Sequence, residues 1–333
     1  TKNSTAETDD LFNFETSPDD TNELVSMILE VVRQPQPFRA NDGLVHLVYE
    51  VQIQNFTTET LTLENLTVFG DSTEAPLLAL EDAELMDRTL LLQYHPFKKA
   101  PLEDAVVGQI GGGQTAVVYL DVTVDDYASV PHTLINRVQV SGPPLVAQLL
   151  GESALTVSTQ VGVNMGEVLV LGQPVRGGRW INVNGCCDFA NSAHRRVIRS
   201  VDGNEFFPER TSNDIMEVDE ENNLFVGDPN LNESWLGYGT ELIAVADGVV
   251  SRVVKGLPDN KPGESPPFPI SLSDGAGNIV ILHIGGGIYV LYAHLIPGSN
   301  DHLKVGDFVA KGDLVGLLGN TGQSGAPHLH FQV

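Results

Sequence analysis

The sequence has few cysteines, few basic residues and no long hydrophobic run. Its 333 residues include only 2 cysteines, too few for a disulfide framework or a four-cysteine zinc site. No stretch approaches the ~18 uninterrupted apolar residues of a membrane span, so we expect no transmembrane segment in this chain. Only 18 lysines and arginines stand against 44 aspartates and glutamates, a formal net charge of −26. Because so acidic a surface repels phosphate backbones, we expect no nucleic-acid partner.

Sustained helical periodicity is also scarce, whereas turn residues are frequent. Short runs rich in Val, Leu, Ile and Thr alternate with Gly and Pro, which predicts an all-β fold. Residues 1–37 read as an acidic, flexible tail with one short helix, for which Glu23–Val32 is the best candidate. Runs such as Leu44–Ile53 predict a β-sandwich accessory domain of roughly seven strands over 38–172. A second β domain follows at 173–333.

The histidines are unevenly distributed, since six of the nine follow residue 190. His328 and His330 enter a predicted strand two residues apart, so both side chains project from the same face. His294 ends another predicted strand, Ile288–Leu295. Three imidazoles on two strands could serve a zinc hydrolase. On spacing alone, a solvated pair of strand histidines is the alternative.

From about residue 238 to 333 the chain resembles the lysostaphin/LytM-type zinc metallopeptidases, which cleave peptide cross-links of bacterial cell walls. The motifs occur in the order that the family has them, so the resemblance is specific. It implies a LytM-like antiparallel β-sheet metallopeptidase domain, a zinc cofactor, and peptidoglycan stem or bridge peptides as partners. The resembling stretches are Gly239-Thr240, Ala244–Val250, Gly277–Ile281, Tyr292–Leu295, Val305–Val309 with Lys311-Gly312, Gly316–Gly322 and Pro327–Phe331.

The resemblance also implies roles for individual histidines. The second histidine of the His-x-His motif, here His330, is the zinc ligand. The first, His328, and the histidine of the Tyr-x-His segment, here His294, assist catalysis at the zinc-bound water and the developing oxyanion. An extracytoplasmic location, which is periplasmic, cell-surface or secreted, is also implied. The chain opens on polar residues, so we expect that no signal or lipid-anchor segment is present in it.

One part of the family pattern is missing. The other two zinc ligands of the family come from a His-x-x-x-Asp motif, and Asp214 is the candidate for its aspartate. Four residues earlier stands Arg210, whose guanidinium stays protonated and cannot bind zinc. We therefore consider His194 as the substitute ligand, which would complete a metal site of His194, Asp214 and His330.

The position of His194 depends on the register of a predicted hairpin. His194 opens a strand-like run, the turn lies at residues 202–204, and the return run leads to Asp214. A two-residue turn pairs residue 201 with 204 and puts His194 on the wrong face, whereas a three-residue turn pairs 201 with 205 and puts it on the face of Asp214. The neighbouring Cys186-Cys187 pair cannot easily supply both thiols to one zinc, so we assign it a structural role.

Two main hypotheses follow. The first is a zinc-dependent endopeptidase that hydrolyses peptide cross-links of peptidoglycan. The alternative is a degenerate LytM-like domain that binds the cell wall, or regulates another wall hydrolase, without cleaving a bond. Arg210 favours the alternative, whereas the retention of the histidine cluster favours the enzyme. A purely structural surface protein would leave this cluster unexplained.

Overall fold

The computed structural model describes residues 24–92, 108–185, 192–202, 204–264 and 274–333. The predicted acidic tail before residue 24 and the Cys186-Cys187 pair lie outside the described residues. The all-β prediction is confirmed, since antiparallel sheets form the described chain and its two α-helices are short. Neither helix has the length and hydrophobicity needed to cross a bilayer.

The described residues divide into two compact units, one of residues 24–35, 49–92 and 108–164, and one of residues 36–48 and 165–333. The predicted domain boundaries after residues 37 and 172 stay predictions.

Residues 27–162 form two five-stranded antiparallel sheets. The order of the first is β1-β3-β8-β6 with β2 beside β3, and that of the second is β10-β9-β4-β5 with β7 beside β4. That these sheets form a sandwich stays a prediction. The elements are β1 Met27–Val31, β2 Phe38–Arg39, β3 Val45–Asn55, β4 Leu61–Phe69, β5 Pro76–Glu81, α1 Asp82–Asp87, β6 Thr89–Leu91, β7 Gln109–Ile110, β8 Thr115–Val124, β9 Thr133–Ser141, α2 Pro144–Leu150 and β10 Thr156–Gly162.

The predicted helix within Glu23–Val32 is wrong, because strand β1 occupies this segment. The strand pairs with β3 residue by residue, from Met27 opposite Asn55 to Val31 opposite Val51. Met27 is buried while Ile28 is exposed. This exposure alternates with period two, and β-branched residues favour a strand in such a half-buried place.

Residues 180–332 form a seven-stranded antiparallel sheet of order β11-β14-β21-β18-β17-β16-β19, with two small two-stranded sheets, β12-β13 and β15-β20. The strands are β11 Trp180–Asn184, β12 Arg199–Val201, β13 Asn204–Phe206, β14 Asn213–Glu217, β15 Glu241–Ile243, β16 Gly248–Val254, β17 Ile279–Gly285, β18 Ile288–Ala293, β19 Phe308–Val309, β20 Leu314–Leu317 and β21 Leu329–Gln332.

One face of the large sheet packs on the buried apolar core, and the side chains at the alternate positions point to the other face. Tyr292 of β18 and Phe331 of β21 are paired neighbours, and both belong to the buried apolar cluster. Because side chains alternate along a strand, the next residue of β21 towards the N-terminus, His330, points to the opposite face. Asp214 of β14 pairs directly with His330. The sheet register therefore brings a carboxylate and an imidazole together.

The hairpin expected to carry His194 is shorter than predicted. Only Arg199–Val201 and Asn204–Phe206 pair, with Val201 opposite Asn204. This is the register of a two-residue turn, which on a longer hairpin would have put His194 on the wrong face. However, His194 does not lie in a strand, because residues His194–Arg196 form a 3-10 turn. The strand assignment is therefore wrong, and the turn orients the imidazole independently of the hairpin register.

Candidate metal centre

Asp214 lies at the centre of a group of imidazoles. His194 Nε2 is 3.2 Å from its Oδ2, while His330 Nδ1 and His328 Nε2 are 3.0 and 3.3 Å from its Oδ1. The three histidines and Asp214 each expose only 9–14% of their side-chain surface. Residues far apart in the sequence thus form one desolvated cluster.

The surroundings control the ionisation of the central carboxylate. Burial alone would raise the pKa of Asp214, but the hydrogen bonds from His194, His328 and His330 outweigh it and hold this pKa far below its usual range. For His194, burial lowers the pKa, and the hydrogen bond and charge of Asp214 outweigh burial and raise it. Asp214 is therefore an anion at every physiological pH.

Two of the histidine rings, those of His328 and His330, also form hydrogen bonds on the side away from Asp214. These bonds determine which nitrogen of the neutral ring carries the proton. His328 Nδ1 donates to the carbonyl of Ala326 at 2.8 Å, and His330 Nε2 donates to Gln332 Oε1 at 3.4 Å. In the neutral rings the opposite nitrogens, which face Asp214, therefore carry lone pairs. Lone pairs that converge on carboxylate oxygens repel those oxygens unless a cation lies between them, either the proton of the hydrogen bonds described above or a metal ion.

The donor set fits a zinc ion. Among the described residues, His194, Asp214 and His330 form a group whose ligand atoms all lie within 4.8 Å of one another. Two imidazoles and one carboxylate are a common set of protein ligands at catalytic zinc sites, where a fourth position stays open. The structure thus brings together the three residues expected as ligands, and their role as ligands stays a prediction.

His294 lies beside this group. It follows strand β18 with a φ of 62°, a left-handed conformation that is uncommon for residues other than glycine and concentrates at functional sites. Its ring centre is 4.7 Å from that of His328. Burial, followed by the positive charges of His328 and His330, lowers the pKa of His294 well below its ordinary value. Its Nδ1 donates to the carbonyl of Thr321 at 2.7 Å, so the neutral ring keeps a lone pair on Nε2.

Arg210 does not belong to the donor group. It lies in the turn before Asp214, and the carbon of its guanidinium is 5.8 Å from the centre of the Phe207 ring. An imidazole does face Asp214 from another segment, since His194 Nε2 lies 3.2 Å from Asp214 Oδ2.

Two residues that contact this group were not identified from the sequence. Asn184 of β11 donates from Nδ2 to Asp214 Oδ2 at 2.9 Å, and Gln332 of β21 accepts from His330. The strand alternation 328, 330, 332 could have indicated Gln332. No sequence signal indicated Asn184, because its contact depends on the pairing of β11 with β14.

Comparison with known proteins finds similarity to peptidases over the C-terminal part of the chain. Residues 236–333 match the model of Peptidase family M23. The chain is 36% identical over 97 residues to an uncharacterised metalloprotease of Haemophilus influenzae, which is 29% of this chain and 16% of that one. It is 46% identical over 59 residues to lysostaphin of Staphylococcus simulans (17% and 11%). It is 33% identical over 94 residues to the DD-carboxypeptidase/endopeptidase Mpg of Neisseria meningitidis serogroup B (28% and 17%).

The comparisons concern a segment only. The chain spans less than a fifth of the length of each of these relatives. Over residues 236–333 the predicted resemblance to lysostaphin/LytM-type peptidases is confirmed, since this segment matches a peptidase family and is similar to lysostaphin and to a metalloprotease. It includes His294, His328 and His330, whereas Asp214 and His194 precede it.

Proposed function

We propose that this protein is a zinc-dependent endopeptidase that hydrolyses peptide cross-links of bacterial peptidoglycan outside the cytoplasm. The observation that carries the proposal is the convergence of His194, Asp214 and His330 in one buried group with ligand atoms within 4.8 Å, next to two further imidazoles. The segment of metallopeptidase type and the names of its relatives, among them lysostaphin and a DD-carboxypeptidase/endopeptidase, support the substrate class.

His194 Nε2, Asp214 and His330 Nδ1 would hold the metal. When bound there, zinc supplies Lewis acidity towards a peptide carbonyl and makes water a nucleophile near neutral pH. The hydrogen bonds that the proposed ligands make with neighbouring side chains hold them in place for the metal. Gln332 holds the His330 ring with Nδ1 towards Asp214. Asn184 holds the carboxylate itself. Such outer partners orient metal ligands and limit the wrong tautomers.

His294 and His328 would act on protons and on developing charge. Each donates from Nδ1 to a backbone carbonyl, which leaves Nε2 of the neutral ring free to accept a proton from water. Once protonated, the same nitrogen can donate to the oxyanion of a tetrahedral intermediate. Burial favours the neutral form of His294, so this ring is suited to begin as an acceptor.

The test combines metal content with cleavage. Elemental analysis of the purified chain should find about one zinc per chain, and the loaded protein should release soluble fragments and new amino groups from purified peptidoglycan. Chelation should abolish this release and added zinc should restore it. A chain that retains zinc and binds peptidoglycan but releases nothing would contradict the enzyme and support the non-catalytic alternative. A chain without zinc would contradict the metal site itself.

A further inference from the structure

We propose that Asn184 is the positioning residue that brings His194 to the metal, and so makes up for the arginine at position 210. The inference rests on the proposed zinc site, which it extends by a residue outside the group of three donors. Asn184 precedes the segment that matches Peptidase family M23, residues 236–333.

A β-bulge directs the side chain of Asn184 to the site. Strand β11 pairs with β14 in regular register up to Asn182 opposite Ile215, and the register then shifts so that Asn184 stands opposite Asp214. Without this shift Val183 would face Asp214, and an apolar side chain would lie against the carboxylate. Bulges of one extra residue redirect side chains in this way and are frequent next to active sites.

The amide of Asn184 joins two parts of the site. Its Nδ2 donates to Asp214 Oδ2 at 2.9 Å, and its Oδ1 accepts the backbone N–H of Ala193 at 3.0 Å. Asp214 Oδ2 is also the oxygen that His194 Nε2 faces at 3.2 Å. One side chain therefore holds the carboxylate and the residue that directly precedes His194.

The turn that carries His194 is short. It is a 3-10 turn of three residues, and its backbone bonds, from Arg196 to Ala193 and from Val197 to His194, stay within the turn. The bond between Ala193 and Asn184 links the turn to the large sheet. Because Asp214 lies on that same sheet, the amide of Asn184 holds the two ligands together, beside the hydrogen bond of His194 with the backbone of Ser212. This arrangement lets a histidine outside the regular strands serve a site built on strands.

The experiment measures the zinc dissociation constant by competition with a chromogenic chelator. Asn184→Ala should weaken zinc binding about 10–100-fold, the usual effect of losing an outer-shell partner. Asn223→Ala is the matched control, since Asn223 likewise donates from Nδ2 to an aspartate, Asp219 Oδ2 at 2.8 Å, and this aspartate is not in the donor group. It should change the constant by no more than about twofold. An unchanged constant in Asn184→Ala overturns the inference.

A double-mutant cycle tests whether Asn184 acts through His194. In a His194→Ala background, Asn184→Ala should weaken the remaining affinity by less than about threefold, because the turn no longer supplies a ligand. An equal loss in both backgrounds would show that Asn184 acts on Asp214 alone, and would overturn the inference.

Circular dichroism of the metal-free variants checks that they are folded. If Asn184→Ala does not fold, Asn184→Gln carries the test, because it keeps an amide but adds a methylene and cannot span Asp214 and Ala193 in the same way. It should also lose affinity, and wild-type affinity in this variant overturns the inference. A wild-type chain that binds no zinc would instead contradict the proposed function, so the two failures are distinguishable.

Discussion

Two His–Asp pairs of the same length occur in very different places in this molecule. His46 Nε2, in β3, lies 3.0 Å from Oδ2 of Asp42, which stands four residues earlier in an exposed turn. His330 Nδ1 lies 3.0 Å from Asp214 Oδ1, and 116 residues separate the two. The side chain of Asp42 is 47% exposed, whereas that of Asp214 is 14% exposed.

The difference lies in what surrounds each carboxylate. The backbone N–H of Leu44 is the largest cause that lowers the pKa of Asp42, so this aspartate mainly closes its own turn. Asp214 instead receives three imidazoles, which lower its pKa although burial opposes this. A short distance therefore does not identify a metal site. Several donors that converge on one buried carboxylate are a stronger indication, because burial leaves its charge few other partners.

The largest effect should come from His330→Ala. This change removes a donor atom from the converging group while Asp214 stays buried, so the loss of zinc affinity should exceed the about 10–100-fold of an outer-shell partner. Elemental analysis after dialysis should find almost no zinc in the variant. Retention of one zinc per chain would show that the converging group is not the site, and would remove the distinction between the two pairs.

The next comparison is between His194→Ala and Arg210→Ala. His194→Ala should lose zinc nearly as fully as His330→Ala, since it removes the second imidazole of the group. Arg210→Ala should keep its zinc, because the guanidinium lies beside Phe207 and outside that group. The measurement is zinc stoichiometry in both variants. Loss of zinc in Arg210→Ala together with retention in His194→Ala would show that the site has been assigned to the wrong segment.

The sequence indicated the strand part of this site better than the turn part. The alternation of 328 and 330 before an apolar strand end requires only local periodicity, and the structure places both side chains beside Asp214. The ordered motifs of the last hundred residues also predicted the resemblance to metallopeptidases, which the match of residues 236–333 to Peptidase family M23 supports.

The position of His194 could not be derived from the sequence in the same way. Its neighbours Arg195 to Arg199 read as a strand, yet a 3-10 turn begins at His194, and the predicted route through a hairpin was wrong. The bulge at Val183 was likewise hidden, because a register shift depends on which strand becomes the partner. The helix predicted within Glu23–Val32 failed for a related reason, since pairing with β3 decides the structure of that segment.

His328→Ala should separate metal binding from turnover. Its Nε2 faces Asp214, but it lies outside the group of three donors within 4.8 Å, so the variant should keep about one zinc per chain. Peptidoglycan cleavage should fall about 10²–10⁴-fold, the usual contribution of a general acid–base group. Both quantities can be measured on one preparation. Equal loss of zinc in His328→Ala and His330→Ala would mean that the roles of the two histidines are wrongly assigned.

The smallest effect should come from His46→Ala, the matching change in the exposed pair. Asp42 keeps the backbone N–H of Leu44 as its partner at 3.0 Å, and an exposed ion pair is screened by water and salt. Zinc content and cleavage should therefore stay within the scatter of repeat measurements with the wild type. A clear loss of zinc in this variant would show that a local His–Asp pair at the surface contributes to the metal site. In that case the number of converging donors would not distinguish Asp214, the proposed metal-binding carboxylate, from Asp42.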